Sequence, residues 1–167
     1  LAAAYAGSAE GQQALSTLLQ YWQRGGHDAQ ALNAFAQRLH AAGRLGEAIA
    51  VLQSVNYEAP FDVDLHAQLG DFLLQADRAA DALGEYRIDA ALHPSDQAAL
   101  HLRLARAQYA LHALPDARRE VLAALEIAPN FRPAQQLLLR MARANATPGA
   151  AGTAGAAPPC QKAPPPP

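Results

Sequence analysis

The amino-acid sequence predicts an all-α protein: a right-handed superhelical solenoid of antiparallel helix hairpins with a capping helix at its C-terminal side. Two observations carry that expectation. One pattern occurs three times, Phe35-Ala36 then Ala48 then Pro60, Leu69-Gly70 then Ala82 then Pro94, and Leu104-Ala105 then Ala117 then Pro129, at spacings of 34 and then 35 residues. A period of that length with small residues at fixed offsets marks stacked helical hairpins. The small residues also have a mechanical reason. Two antiparallel helices approach to about 8–10 Å only where the side chains between them are short, so Ala36 is expected to face Ala48, Gly70 to face Ala82 and Ala105 to face Ala117. Each proline, with its fixed φ and missing amide hydrogen, stops an outer helix.

Taken in order, residues 1–28 hold one helix, at roughly residues 8–24, on the helical spacing of Leu15, Leu18, Leu19 and Trp22. Ser8 is expected to cap it and Gly25-Gly26 to end it, with the Trp22 face lying on the first hairpin. Residues 29–62, 63–97 and 98–131 form the three hairpins. Asp62 and Ser95 stand where helix caps are needed. The residue that lengthens the second spacing is expected between Pro94 and Ala98, because a loop absorbs it at little entropic cost. In residues 132–145, Pro133 opens a capping helix whose Leu137, Leu138 and Met141 cover the last hairpin while Arg140 and Arg143 meet water. Residues 146–167 are almost entirely Ala, Gly, Thr and Pro, too poor in packable groups to offset ordering, and read as a disordered tail.

On these residues the span 29–131 resembles the tetratricopeptide repeat, TPR. The first unit fits throughout, with Leu32, Phe35, Ala36, Gly43, Ala48, Leu52, Val55 and Pro60. The second supplies His66, Leu69, Gly70, Asp77, Ala82, Tyr86, Asp89 and Pro94, and the third His101, Leu104, Ala105, His112, Ala117, Val121, Ala124 and Pro129. His66 and His101 occupy one slot, where imidazole is expected to pack in place of an aromatic ring. Asp89 is the clear departure, since the family places Ala there, close to the contact between hairpins. An unpaired buried carboxylate costs several kcal/mol. The helix is therefore expected to rotate Ala90 into the slot, or Asp89 to pair with Arg87 or a neighbouring histidine.

The resemblance implies a non-enzymatic protein-interaction scaffold that binds a peptide or helix in a concave groove lined by the first helices of successive units. Carried over residue by residue, that groove is Asn33, Gln37 and His40, then Asp64, Gln68, Asp71 and Gln75, then Arg103, Arg106 and Tyr109. Polar amides lead into acid and then base. Such a pattern would orient a ligand with its basic part at Asp64 and Asp71 and its acidic part at Arg103 and Arg106. The competing reading is that these charges pair with one another, Asp71 with Arg106 above all. One subset of the family grips acidic chaperone C-termini through a clamp of Lys, Asn and Arg. The matching positions here are Asn33, Gln37, Gln68, Ala99 and Arg103, of which only Arg103 fits, so the charge-assisted grip is missing.

A second, looser resemblance concerns the parent protein. Residues 117–129 and the Leu-rich stretch after them look like the end of repeat regions in larger bacterial secreted or periplasmic proteins. Residues 11–26 are similar to the last helix of zinc peptidase domains. That gives the alternative function, an accessory C-terminal repeat module of a zinc peptidase, whose partner would be the rest of its own parent chain.

Little in the sequence points to chemistry. A net charge of −2 offers no electrostatic footprint for nucleic acid or anionic membrane. No apolar run approaches the ~20 residues of a membrane helix, so the chain is expected to be soluble. The six histidines have no metal-ligand spacing, and no nucleophile elbow or phosphate-binding glycine loop occurs. Cys160, alone in the Pro-rich tail, lacks a base to activate it. No catalytic residue, metal or cofactor is expected.

Overall fold

The computed structural model describes residues 9–26 and 28–146. Ser8, His27 and the tail from residue 147 onward lie outside the described residues. Among these residues the chain forms eight helices and no strand: α1 (Ala9–Gln23), α2 (Ala29–Ala41), α3 (Leu45–Glu58), α4 (Val63–Gln75), α5 (Ala79–Ala91), α6 (Gln97–Ala110), α7 (Leu114–Ile127) and α8 (Arg132–Ala146). Helices α2 and α3, α4 and α5, and α6 and α7 pair as hairpins, each inner helix also meeting the outer helix before it.

Local signals set these boundaries. Asp28 accepts a hydrogen bond from the Gln30 amide at 3.2 Å, Asp62 from Leu65 at 3.1 Å and Asp96 from Ala99 at 2.9 Å, which fixes the starts of α2, α4 and α6. The expected cap Ser95 is thus displaced by its neighbour. The connection from α5 to α6 spans residues 92–96 and that from α3 to α4 residues 59–62, so the extra residue of the third unit does lie in the loop. Inside the hairpins the turn is made each time by one left-handed residue at the same repeat position: Gly43 at φ 76°, Asp77 at 58° and His112 at 59°. Glycine enters that region without strain, whereas a side chain there is disfavoured by about 1 kcal/mol.

The small residues do what helix packing asks of them. Ala36, Ala48, Ala82, Ala105 and Ala117 are all completely buried. At Gly70 a Cβ would sit 2.4 Å from the Tyr86 ring, so a glycine is needed to let that ring approach α4. Two apolar clusters result, one running from α1 through the first two hairpins to Leu100, Leu104 and Ala107 of α6, and one joining the third hairpin to α8. Helix α1 is anchored by buried Leu15 and by Trp22, whose indole Nε1 donates to Ser54 Oγ at 3.0 Å. Helix α8 buries Ala134, Leu137 and Met141.

Asp89 follows neither expected course. It occupies the slot itself, fully buried, with neither carboxylate oxygen hydrogen-bonded, while Arg87 and Ala90 leave it alone. Burial drives its pKa up, opposed by the positive charge of Arg103 and by His66 and reinforced by Asp64 and Asp71. The packing of α5 between α4 and α6 fixes its rotation, and the carboxyl accepts the burial that this register imposes.

Candidate functional site

All ten residues assigned to the groove lie on the inner helices α2, α4 and α6. Neighbouring units are tied together through them at two points. His40 stacks on Phe72 with ring centroids 4.5 Å apart, and its Nε2 lies 2.7 Å from Gln75 Oε1, joining α2 to α4. Arg103 Nε lies 3.4 Å from Asp71 Oδ2, joining α4 to α6. The intramolecular partner of Asp71 is therefore Arg103, not the expected Arg106, which sits three residues further along α6, exposed. At 29 and 40 % side-chain exposure the Asp71–Arg103 pair is a modest contributor, under about 1 kcal/mol.

Beneath Asp71 is a group that the repeat pattern marks only as bulky. The Tyr86 hydroxyl, from the outer helix α5, donates to Asp71 Oδ1 at 2.7 Å. Burial, with the Asp71 carboxylate beside it, holds the phenol well above the usual tyrosine range and so keeps it a donor. Asp71 is thereby fixed from two sides. Gln37 donates to Asn33 across one turn of α2 at 3.3 Å. Asp64 and Arg106 are exposed and make no ion pair with any described residue. Tyr109 is half-buried at the edge of the third unit's core.

The histidines of the shared slot do more than fill space. His66 is 2 % exposed, with Nδ1 2.7 Å from Glu85 Oε2 and Nε2 2.9 Å from the Pro60 carbonyl. His101 makes the matching contact, Nδ1 to Glu120 Oε2 at 2.7 Å. The pairing was legible, since Glu85 and Glu120 stand at the same repeat offset from their histidines. Among the described residues, no three His, Cys, Asp or Glu side chains gather as a metal site would require.

Three antiparallel hairpins in series, with small residues at the crossing points and polar inner helices, define a tetratricopeptide-type helical repeat protein. The chain belongs to the bacterial transcriptional activator domain family, whose model matches residues 3–93. That span takes in α1 and the first two hairpins, and the third hairpin and α8 follow it. None of the curated proteins matches the sequence. Solved structures share the fold at low identity. The first TPR of Spaghetti (RPAP3), bound to the HSP90 peptide SRMEEVD, is 22 % identical with a TM-score of 0.65, covering 71 % of this chain and 94 % of that one. MamA from Desulfovibrio magneticus RS-1 is 17 % identical with a TM-score of 0.67, covering 83 % and 87 %. The type III secretion chaperone SycD of Yersinia enterocolitica, in complex with a peptide of the translocator YopD, is 15 % identical with a TM-score of 0.62, covering 70 % and 93 %.

Proposed function

We propose that this protein is a non-enzymatic interaction scaffold, and that the inner face of α2, α4 and α6 binds a peptide or helix of a partner protein. The observation that carries the reading is the succession of three inner helices presenting polar side chains, among which Asp64 and Arg106 stay exposed and make no ion pair with a described residue. With Asp71 and Arg103 satisfied by each other, the charges left for a ligand are fewer than the sequence suggested. The ligand accordingly places a basic group at Asp64 and an acidic group at Arg106, with an apolar or amide-bearing stretch along Gln68 and Tyr109. The peptides held by the Spaghetti and SycD structures support this mode of use. The family name, bacterial transcriptional activator domain, supports a partner that belongs to such an activator, the rest of the parent chain included.

Selection of a displayed peptide library on the protein, followed by chemical-shift mapping of a selected peptide, tests the reading. Shifts concentrated on α2, α4 and α6 are expected. Shifts confined to α3, α5 and α7 would reject the inner face as the binding surface.

A further inference from the structure

Helix α8 is built as an inner helix with no outer partner among the described residues. Its register follows from a hydrogen bond: Gln135 Nε2 donates to the Pro129 carbonyl at 2.7 Å, as His66 Nε2 contacts the Pro60 carbonyl at 2.9 Å in the second unit, each six residues from its proline. On that register Gln135, Leu139 and Ala142 of α8 align with His66, Gly70 and Leu73, and with His101, Ala105 and Gln108. In the complete hairpins this strip is covered by the outer helix, and Gly70, Leu73, Ala105 and Gln108 are buried. On α8 the whole strip is exposed, and Leu139 keeps 58 % of its surface in water. A cavity of about 150 Å³, lined by Leu114, Arg118, Leu138, Met141 and Ala142, opens beside it between α7 and α8.

We propose that this strip is a docking site for one amphipathic helix of a partner protein, running antiparallel to α8 and completing a fourth hairpin, and that the docking helix is acidic. The charge argument is on the surface itself. Helix α8 carries Arg132, Arg140 and Arg143 and no acidic residue, and Arg118 borders the cavity. A second α8 would bring arginines against arginines, which like-charge repulsion disfavours, whereas Glu or Asp on the incoming helix would be attracted. Residues 147–167 contain no Asp or Glu and so do not offer the acidic groups that this surface would attract. Leu139 also sets a steric rule. Where the three hairpins oppose small residue to small residue, the large side chain here requires Ala or Gly opposite it.

The probe is a fluorescein-labelled synthetic helix of Leu, Ala and Glu, with a matched peptide in which every Glu is Lys, each titrated by anisotropy against the full chain at low salt. The Glu peptide is expected to bind, Leu139→Glu and Arg140→Glu each to weaken it at least tenfold, and Arg106→Glu on the inner face to leave it unchanged. Leu139 and Arg140 are exposed, so both variants should keep the wild-type melting temperature. Absence of saturable binding by the Glu peptide, equal binding of the Lys peptide, or indifference to Leu139→Glu would overturn the proposal. A concentration-dependent dimer abolished by Leu139→Glu would likewise overturn it, giving the strip to a second copy of the chain.

Discussion

In the first hairpin Leu32, Val51 and Val55 are packed into the apolar core, each at 2 % exposure or less. The same three repeat positions of the second hairpin hold His66, Glu85 and Asp89. The two hairpins nonetheless adopt one geometry, with inner helices of 13 residues each and a left-handed turn residue at the same place. The difference teaches which positions specify the fold. The crossing-point Ala and Gly residues and the turn dictate the hairpin, while the flanking slots accept either apolar packing or a hydrogen-bonded pair. What they do not accept freely is a polar group without a partner, and the second hairpin contains one of each kind: His66 has an acceptor oxygen within reach of its ring nitrogens, and Asp89 has a partner at neither oxygen.

The comparison is broken most strongly at Glu85. Glu85→Val alone leaves the buried His66 Nδ1 without its acceptor and should destabilise by about 2–3 kcal/mol in urea unfolding. The double variant His66→Leu with Glu85→Val installs the first hairpin's pair and should recover most of that loss, as replacement of buried polar pairs by packed apolar ones usually does. A double variant no more stable than the single would mean that the histidine pair organises the second unit in a way the first does not need.

Gly70→Ala comes next. Ala is the residue that the other two units use at this position, yet here its Cβ would meet the Tyr86 ring at 2.4 Å. A loss of about 2 kcal/mol is expected from overpacking, measured by thermal melt. Tyr86→Leu, which matches Leu52 of the first unit, should relieve most of it.

Asp89→Ala, which matches Ala124 of the third unit, should stabilise at neutral pH by about 1 kcal/mol once the small cavity is set against removal of an unpaired carboxylate. The sign with pH follows from the raised folded-state pKa. The folded chain holds the proton more tightly than the unfolded one, so the wild type is relatively stable at and below the ordinary carboxylate value of 3.8 and loses that contribution as pH rises through the higher folded value. The advantage of the variant therefore grows from acid to neutral pH. A destabilisation beyond about 2 kcal/mol at neutral pH would make Asp89 an organising residue.

The smallest effect lies at the turns. Asp77→Gly gives the second hairpin the first hairpin's turn residue and should stabilise by about 0.5 kcal/mol, relief of the left-handed strain being partly offset by the freer unfolded chain.

Much of this was legible in the sequence because repetition reports on packing directly. The spacing of Ala36, Gly70 and Ala105 located the inner helices, and the prolines located the loops. What periodicity could not supply was the partner of Asp71. Asp71 could reach either arginine on α6 by sequence spacing, and the fold brings Arg103 to it. The Tyr86 hydroxyl reaching Asp71 depends on a side chain crossing beneath α4, which a slot marked only as bulky does not foretell. Ser95 lost its capping role to Asp96 because α6 begins at Gln97. Reversing both Arg103 and Arg106 would also disturb the Asp71–Tyr86 contact, which leaves Arg106 as the clean probe of the inner face.

That probe decides the binding account. A peptide selected on the wild-type protein, titrated calorimetrically at low and high salt against wild type and Arg106→Glu, should bind the variant at least fivefold more weakly at low salt, with the gap closing as salt screens the exposed charge. Circular dichroism and melting temperature should be unchanged, since Arg106 is exposed and makes no ion pair with a described residue. Equal affinities at low salt would contradict the assignment of the inner face as the charged binding surface.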